Sequence, residues 1–169
     1  GHVSADTDLH PASDPPLAQL EGNDLIPFSR AITAGAPVVL MSNAVVPGLT
    51  AGLPASLAPG AYAYLRVHLG FTGLAITDSL GAGAISGAGY PEPAATAAAV
   101  ISGADMVFVN ASDVGAATTA LTEAVTAGTL PVAQLDASVG RILAVKAIAG
   151  CTMSGPVGGP ASGLPIPST

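Results

Sequence analysis

Positive charge is the scarcest feature of this 169-residue chain. Arg30, Arg66, Arg141 and Lys146 are its only lysines and arginines, against 11 acidic residues and a net charge of −7. Four cations cannot build the Lys/Arg footprint that a phosphate backbone requires, so nucleic acid is not an expected partner. An anionic membrane surface is disfavoured for the same reason. Tryptophan is absent, and three Tyr and three Phe are the only aromatics. The core must therefore be packed from Ala, Val, Leu and Ile, and a sugar platform built on stacked rings has little material. Cys151 is the single cysteine, which excludes an internal disulfide and fits either redox compartment. No run approaches the ~18–20 apolar residues of a membrane span. What the chain does have is apolar mass: half its residues are hydrophobic, enough for the core of one domain.

That mass falls into a repeat. Three short apolar runs, residues 37–42, 73–77 and 105–110, each precede a stretch with helical spacing. Helices are expected at about 26–34, 59–69, 92–102, 112–127 and 132–149, with Ser112 as a plausible cap. Residues 1–16, 44–59 and 79–91 read as loops, the last rich in glycine. Residues 150–169 (GCTMSGPVGGPASGLPIPST) read as a Gly/Pro/Ser-rich tail, disordered or draped on the surface. Strand starts near 37, 73 and 105 lie roughly 30–36 residues apart, the spacing of βα units in a (β/α)8 barrel. Three strands cannot close a barrel. The expected fold is α/β: residues 1–149 as the last three βα units of such a barrel, with the remaining strands absent. A small open parallel sheet is the rival.

Asp78 is the residue most in need of a reason. It follows Leu74-Ala75-Ile76-Thr77, where a buried strand opens into a loop, and a carboxylate there is costly unless solvated, hydrogen-bonded or used. In α/β folds chemistry collects at the carboxyl ends of parallel strands. Ser42 and Asn43 end the first run, where such polar residues can simply cap the strand. In the opening loop Asp8 and His10 stand two apart, which in an extended segment puts both side chains on one side. A carboxylate beside an imidazole favours the charged ring and fixes its tautomer, as proton transfer requires. Taken alone, the pair is also compatible with an ordinary solvent-exposed loop. Asp6, Asp8 and His10 lack a second His or Cys cluster to complete a metal site, so no metal and no cofactor is expected.

These segments resemble glycoside hydrolase family 3, in its β-N-acetylglucosaminidase branch. Gly1, His2, Asp8 and His10 fall in register with a G-H-x5-D-x-H loop. Residues 69–80 (LGFTGLAITDSL) resemble the segment that carries the nucleophile, residues 54–59 (PASLAP) a P-A-[ST]-L-S-P segment, and residues 127–131 and 135–146 a barrel-closing helix. The likeness covers about residues 1–147. It implies a retaining glycosidase in which Asp78 attacks the anomeric carbon, His10 serves as acid/base and Asp8 orients it, with His2 at the substrate and with Ser42 and Asn43 as candidates for sugar-hydroxyl contacts or, equally, for capping the strand. Retaining enzymes usually pair two carboxyl groups about 5 Å apart. A histidine can replace one, because imidazole titrates near neutrality without special tuning. The implied partners are a carbohydrate substrate and the N-terminal part of the same barrel. The chain departs from the pattern at Ser79, where a second Asp is common, and the segment expected before Gly1 is not present.

Three other functions compete. Gly81 to Gly87 follows a strand and precedes a helix, as a dinucleotide-binding loop would, but its spacing is off by one and Asp78 would repel phosphate. A Ser79–His10–Asp8 triad has no G-x-S-x-G elbow to support it. A non-catalytic glycan-binding relic would hold sugar without turnover.

Overall fold

The computed structural model describes residues 2–151. From 152 onward the expected tail lies outside the described residues. After an opening loop, α1 (Leu17–Gly22) and α2 (Ile26–Thr33) lead into β1 (Val38–Met41). A 3-10 turn (Ala55–Leu57) and α3 (Pro59–Ala63), prolonged by a π-helical turn (Tyr64–His68), lead into β2 (Leu74–Ser79). Then follow α4 (Gly83–Gly87), α5 (Glu92–Ser102), β3 (Met106–Phe108), α6 (Val114–Thr126) and α7 (Val132–Ile148). The strands form one parallel sheet in the order β1-β2-β3. An α/β domain with this sheet is consistent with a TIM-barrel-type fold.

Alternation along the strands defines two unequal faces. Val39, Met41, Ala75 and Val107 point into a core with Tyr62, Leu65, Phe71, Ile85, Ala95 and Ala99. The alanines of α5 let that helix lie close to the sheet, and Gly103 ends it. Its φ of +126° is open to glycine, and an added Cβ would sit 2.9 Å from the Cβ of Tyr62. The opposite face has little cover. Val38, Leu40 and Phe108 are 39%, 57% and 61% exposed. Apolar residues on both faces are the mark of strands meant to be buried on both sides.

A buried acid ties the amino ends of the strands together. Asp105 precedes β3, and its Oδ2 accepts from Arg66 at 2.5 Å and from the Ala75 N–H at 2.8 Å. Its Oδ1 accepts from Arg141 and from Ser138 of α7, both at 2.9 Å. Arg66 also donates to the carbonyls of Phe71 and Gly73. One carboxylate thus holds α7 and the segment before β2 beneath the sheet.

The structure differs from the sequence expectation at four places. The second strand runs on to Ser79, so Asp78 lies within it. The helix expected at 59–69 changes to π geometry after Ala63, where the Leu69 N–H donates to the Tyr64 carbonyl. The glycine-rich loop contains α4, a helix held by tertiary contacts rather than propensity. Ser112 does not cap α6: its hydroxyl donates to Asp113 Oδ2, within a 3-10 turn (Ala111–Asp113) ahead of the helix.

Candidate active site

Asp78 sits on the open face of the central strand, near its carboxyl end. Leu74, Ile76 and Asp78 alternate with Ala75 and Thr77, which are fully buried on the helix side. The pairing of β2 with β3 is irregular here. Ile76 is opposite Met106 and Ser79 opposite Phe108, so β2 carries one residue more than its partner between those pairs. Such a bulge re-aims side chains. The Asp78 carboxylate is half-buried, and its Oδ1 accepts from the Ser79 N–H at 2.8 Å.

The opening loop reaches the same end of β2. The N–H groups of Gly83 and Ala84 donate to the carbonyls of Asp8 and Thr7 at 2.8 and 3.0 Å. A side chain at Gly83 would run into the backbone carbonyl of Leu9, so only glycine lets the loop lie so close. A second anchor joins it to β1: the Asp14 N–H donates to the Val45 carbonyl and the Val45 N–H to Ala12, both at 2.9 Å. The loop therefore crosses the carboxyl ends of β1 and β2. These contacts also disfavour the dinucleotide-loop alternative. The two N–H groups that would cradle a phosphate already hold Thr7 and Asp8.

Within that loop the expected extended geometry gives way to a turn. Asp6 accepts the His10 N–H on its carbonyl at 2.9 Å and the Asp8 N–H on its Oδ1 at 3.0 Å. An Asp side chain that captures the backbone two residues on is an Asx turn. Residues two apart in such a turn do not face one another. Accordingly, no ion pair joins Asp8 to His10 among the described residues, and both side chains are exposed. His2 is exposed as well.

Ser42 and Asn43 part company. One step beyond the paired residues Met41 and Thr77 come Ser42 and Asp78, and alternation sets both on the open face. Ser42 is exposed, with its Oγ accepting the Ala44 N–H at 3.0 Å. Asn43 is 1% exposed on the covered side. Its Nδ2 donates to the Ser79 carbonyl at 2.7 Å and its Oδ1 accepts from Ser56 at 2.6 Å. That is the strand-capping alternative rather than the sugar-facing one. Thr77, Ser56 and Tyr62 were not foreseen as belonging near the site. Thr77 reads as filler in an apolar strand, and only the P-A-S-L segment hints at Ser56.

A cavity of about 390 Å³ lies beside β1, walled largely by apolar groups such as Leu17, Leu20, Phe28 and Leu40, with Thr7, Asp14, Asp24 and Ser42 also lining it. Asp8, His10 and Asp78 do not line it. No cluster of three or more His, Cys, Asp or Glu is placed to hold a metal among the described residues. Nor is any described helix long and apolar enough to cross a membrane.

The chain has clear relatives. Beta-hexosaminidase LpqI of Mycobacterium tuberculosis is 32% identical over 152 residues, covering 86% of this chain and 39% of that protein. A beta-hexosaminidase of Xylella fastidiosa is 37% identical over 90 residues, covering 53% and 27%. The chain thus spans well under half of the curated relatives it matches. Among solved structures, a family member from Mycobacterium smegmatis superposes with a TM-score of 0.79 at 38% identity, over 86% of this chain and 47% of that one. A β-N-acetylglucosaminidase from Paenibacillus superposes with a TM-score of 0.84 at 29% identity, over 95% and 31%. Residues 1–145 match the glycosyl hydrolase family 3 N terminal domain, and the chain belongs to that family.

Proposed function

We propose that this chain supplies the last three βα units of a (β/α)8 barrel, within residues 1–149, and the nucleophile and acid/base of a retaining β-N-acetylglucosaminidase. The observation that carries the reading is a convergence at one end of one strand. Asp78 stands on the open face of β2, and the loop bearing Asp8 and His10 is hydrogen-bonded to the residues just beyond it. The uncovered apolar face and the free edges of β1 and β3 suit further barrel strands as partners.

The chemistry proceeds in two displacements. A carboxylate oxygen of Asp78 attacks the anomeric carbon of a terminal amino sugar. The bond to the leaving oxygen breaks, and that oxygen takes the bonding pair and a proton from the His10 imidazolium. A covalent glycosyl ester on Asp78 results. Water then attacks the same carbon, His10 accepts its proton, and the ester bond returns its electrons to Asp78. Asp8 orients the ring once substrate draws the turn around; loop movement of this kind commonly separates such steps. Ser42, level with Asp78 on the open face, is placed to meet sugar hydroxyls, and His2 lies on the same loop as the acid/base.

Cleavage of a chromogenic β-N-acetylglucosaminide by the full-length protein tests the reading. Asp78→Ala should remove turnover, and Asp78→Glu should leave a trace. A fluorinated amino-sugar inhibitor should label Asp78; a label on any other carboxylate would contradict the assignment.

A further inference from the structure

We infer that Thr77 and Asn43 are positioning residues that fix the backbone on either side of Asp78, Thr77 by bonding to β3 and Asn43 by reaching across from the end of β1, and so aim its carboxylate. This rests on the reading of Asp78 as nucleophile and adds to it the device that fixes its direction.

On the β3 side, the bulge breaks the regular exchange of backbone hydrogen bonds. Beside the irregular pairing, the Phe108 N–H donates to the Thr77 hydroxyl at 3.1 Å. The Leu80 N–H closes the far side of the bulge on the Phe108 carbonyl at 2.9 Å. Thr77 is fully buried, so no water can replace its oxygen. On the β1 side, Asn43 Nδ2 grips the Ser79 carbonyl at 2.7 Å. Asn43 is itself held by Ser56 Oγ, and the Ser56 carbonyl accepts from Tyr62 Oη at 2.8 Å. A buried chain of fixed groups thus runs from α3 through Tyr62, Ser56 and Asn43 to Ser79.

The Ser79 N–H then donates to Asp78 Oδ1. One carboxylate oxygen is held and Oδ2 is left as the attacking atom. Preorganised donors of this kind place a nucleophile without reorganisation during the reaction. If Thr77 and Asn43 served stability alone, the direction of the carboxylate would not depend on them.

The test measures the rate at which a fluorinated amino-sugar inhibitor esterifies Asp78 in the full-length protein, read as an intact-mass shift with peptide assignment. Kinetic constants on the chromogenic substrate accompany it. Thr77→Val keeps the shape of Thr77 and removes the acceptor. We expect labelling rate and kcat to fall about 10- to 100-fold with KM little changed, and Thr77→Ser to restore most of the loss. Asn43→Ala, which leaves the Thr77 clamp intact, should show the same split between kcat and KM. Folded Thr77→Val and Asn43→Ala proteins that label Asp78 at the wild-type rate would overturn the inference while leaving the glycosidase reading in place. So would a loss confined to KM, or failure of both variants to fold. Wild-type protein that labels elsewhere overturns both.

Discussion

The Gly83 N–H donates to the carbonyl oxygen of Asp8 at 2.8 Å, and this bond joins the loop bearing His10 to α4, the helix that follows the strand bearing Asp78. Gly83 is bound to the contact by shape as well as by hydrogen bonding, because an added methyl would strike the backbone of Leu9. A backbone neighbour cannot rotate away as a side chain can. Gly83→Ala should therefore lift the loop and lower kcat/KM by about 10²-fold, the scale on which ångström displacements act. The loop is exposed, so the thermal midpoint should change little. A large fall in the midpoint at unchanged specific activity would show that the contact serves folding rather than catalysis.

Asp105 should be the most sensitive acid for stability. Its side chain is 1% exposed and meets Arg66, Arg141, Ser138 and the Ala75 N–H. Removing one partner from a buried ionic cluster typically costs about 3–5 kcal/mol. Arg141 is 35% exposed and can turn toward water, which argues for the lower end, about 3 kcal/mol, for Asp105→Ala. Urea unfolding measures this directly. A loss below about 1 kcal/mol, the range of exposed pairs, would show that the cluster is better solvated than its burial implies.

The three strands were legible because parallel strands of this kind read as unbroken apolar runs, and Val38–Met41, Leu74–Ala75–Ile76 and Met106–Phe108 do so. Which face lacks cover was not legible, because such runs carry no polar marker of a side. α4 was hidden by Gly83 and Gly87, residues of poor helix propensity held here by the opening loop. The same fact explains why a nucleotide loop competed on paper: sequence does not reveal that the N–H groups of Gly83 and Ala84 are already taken. Asn43 and Ser42 are adjacent polar residues at a strand end, and only the alternation of the folded strand separates the buried one from the exposed one. The turn at Asp6 was missed because D-x-D-x-H fits an extended segment and an Asx turn equally well.

Gly140 offers a change in the opposite direction. It lies inside α7, is exposed, and a Cβ added there would meet nothing within 4 Å. Glycine in a helix interior is less favourable than alanine because the unfolded chain gains freedom from it. Gly140→Ala should stabilise the protein by about 0.5–1 kcal/mol without altering kcat. A destabilised variant would mean that another segment packs on this face of α7 in the full-length protein.

Tyr62 sets an alkaline limit. Burial is the main cause that raises its phenol far above the ordinary tyrosine value; the Asp105 charge adds to this and Arg66 partly offsets it. The sign follows from linkage. Below about pH 10 the phenol is protonated in both states and contributes no slope. Above it the unfolded chain releases the proton while the folded protein retains it, so the unfolded state is favoured increasingly as pH rises. Stability should fall by up to about 1.4 kcal/mol per pH unit over this range. Tyr62→Phe loses the hydrogen bond to the Ser56 carbonyl, worth about 1 kcal/mol near neutrality, but removes this group's share of the slope. Urea midpoints of the two proteins should therefore converge between pH 9 and pH 11, a window bracketing the ordinary tyrosine value of about 10. Parallel curves across that interval would mean that the Tyr62 phenol ionises as readily in the folded protein as in the unfolded chain.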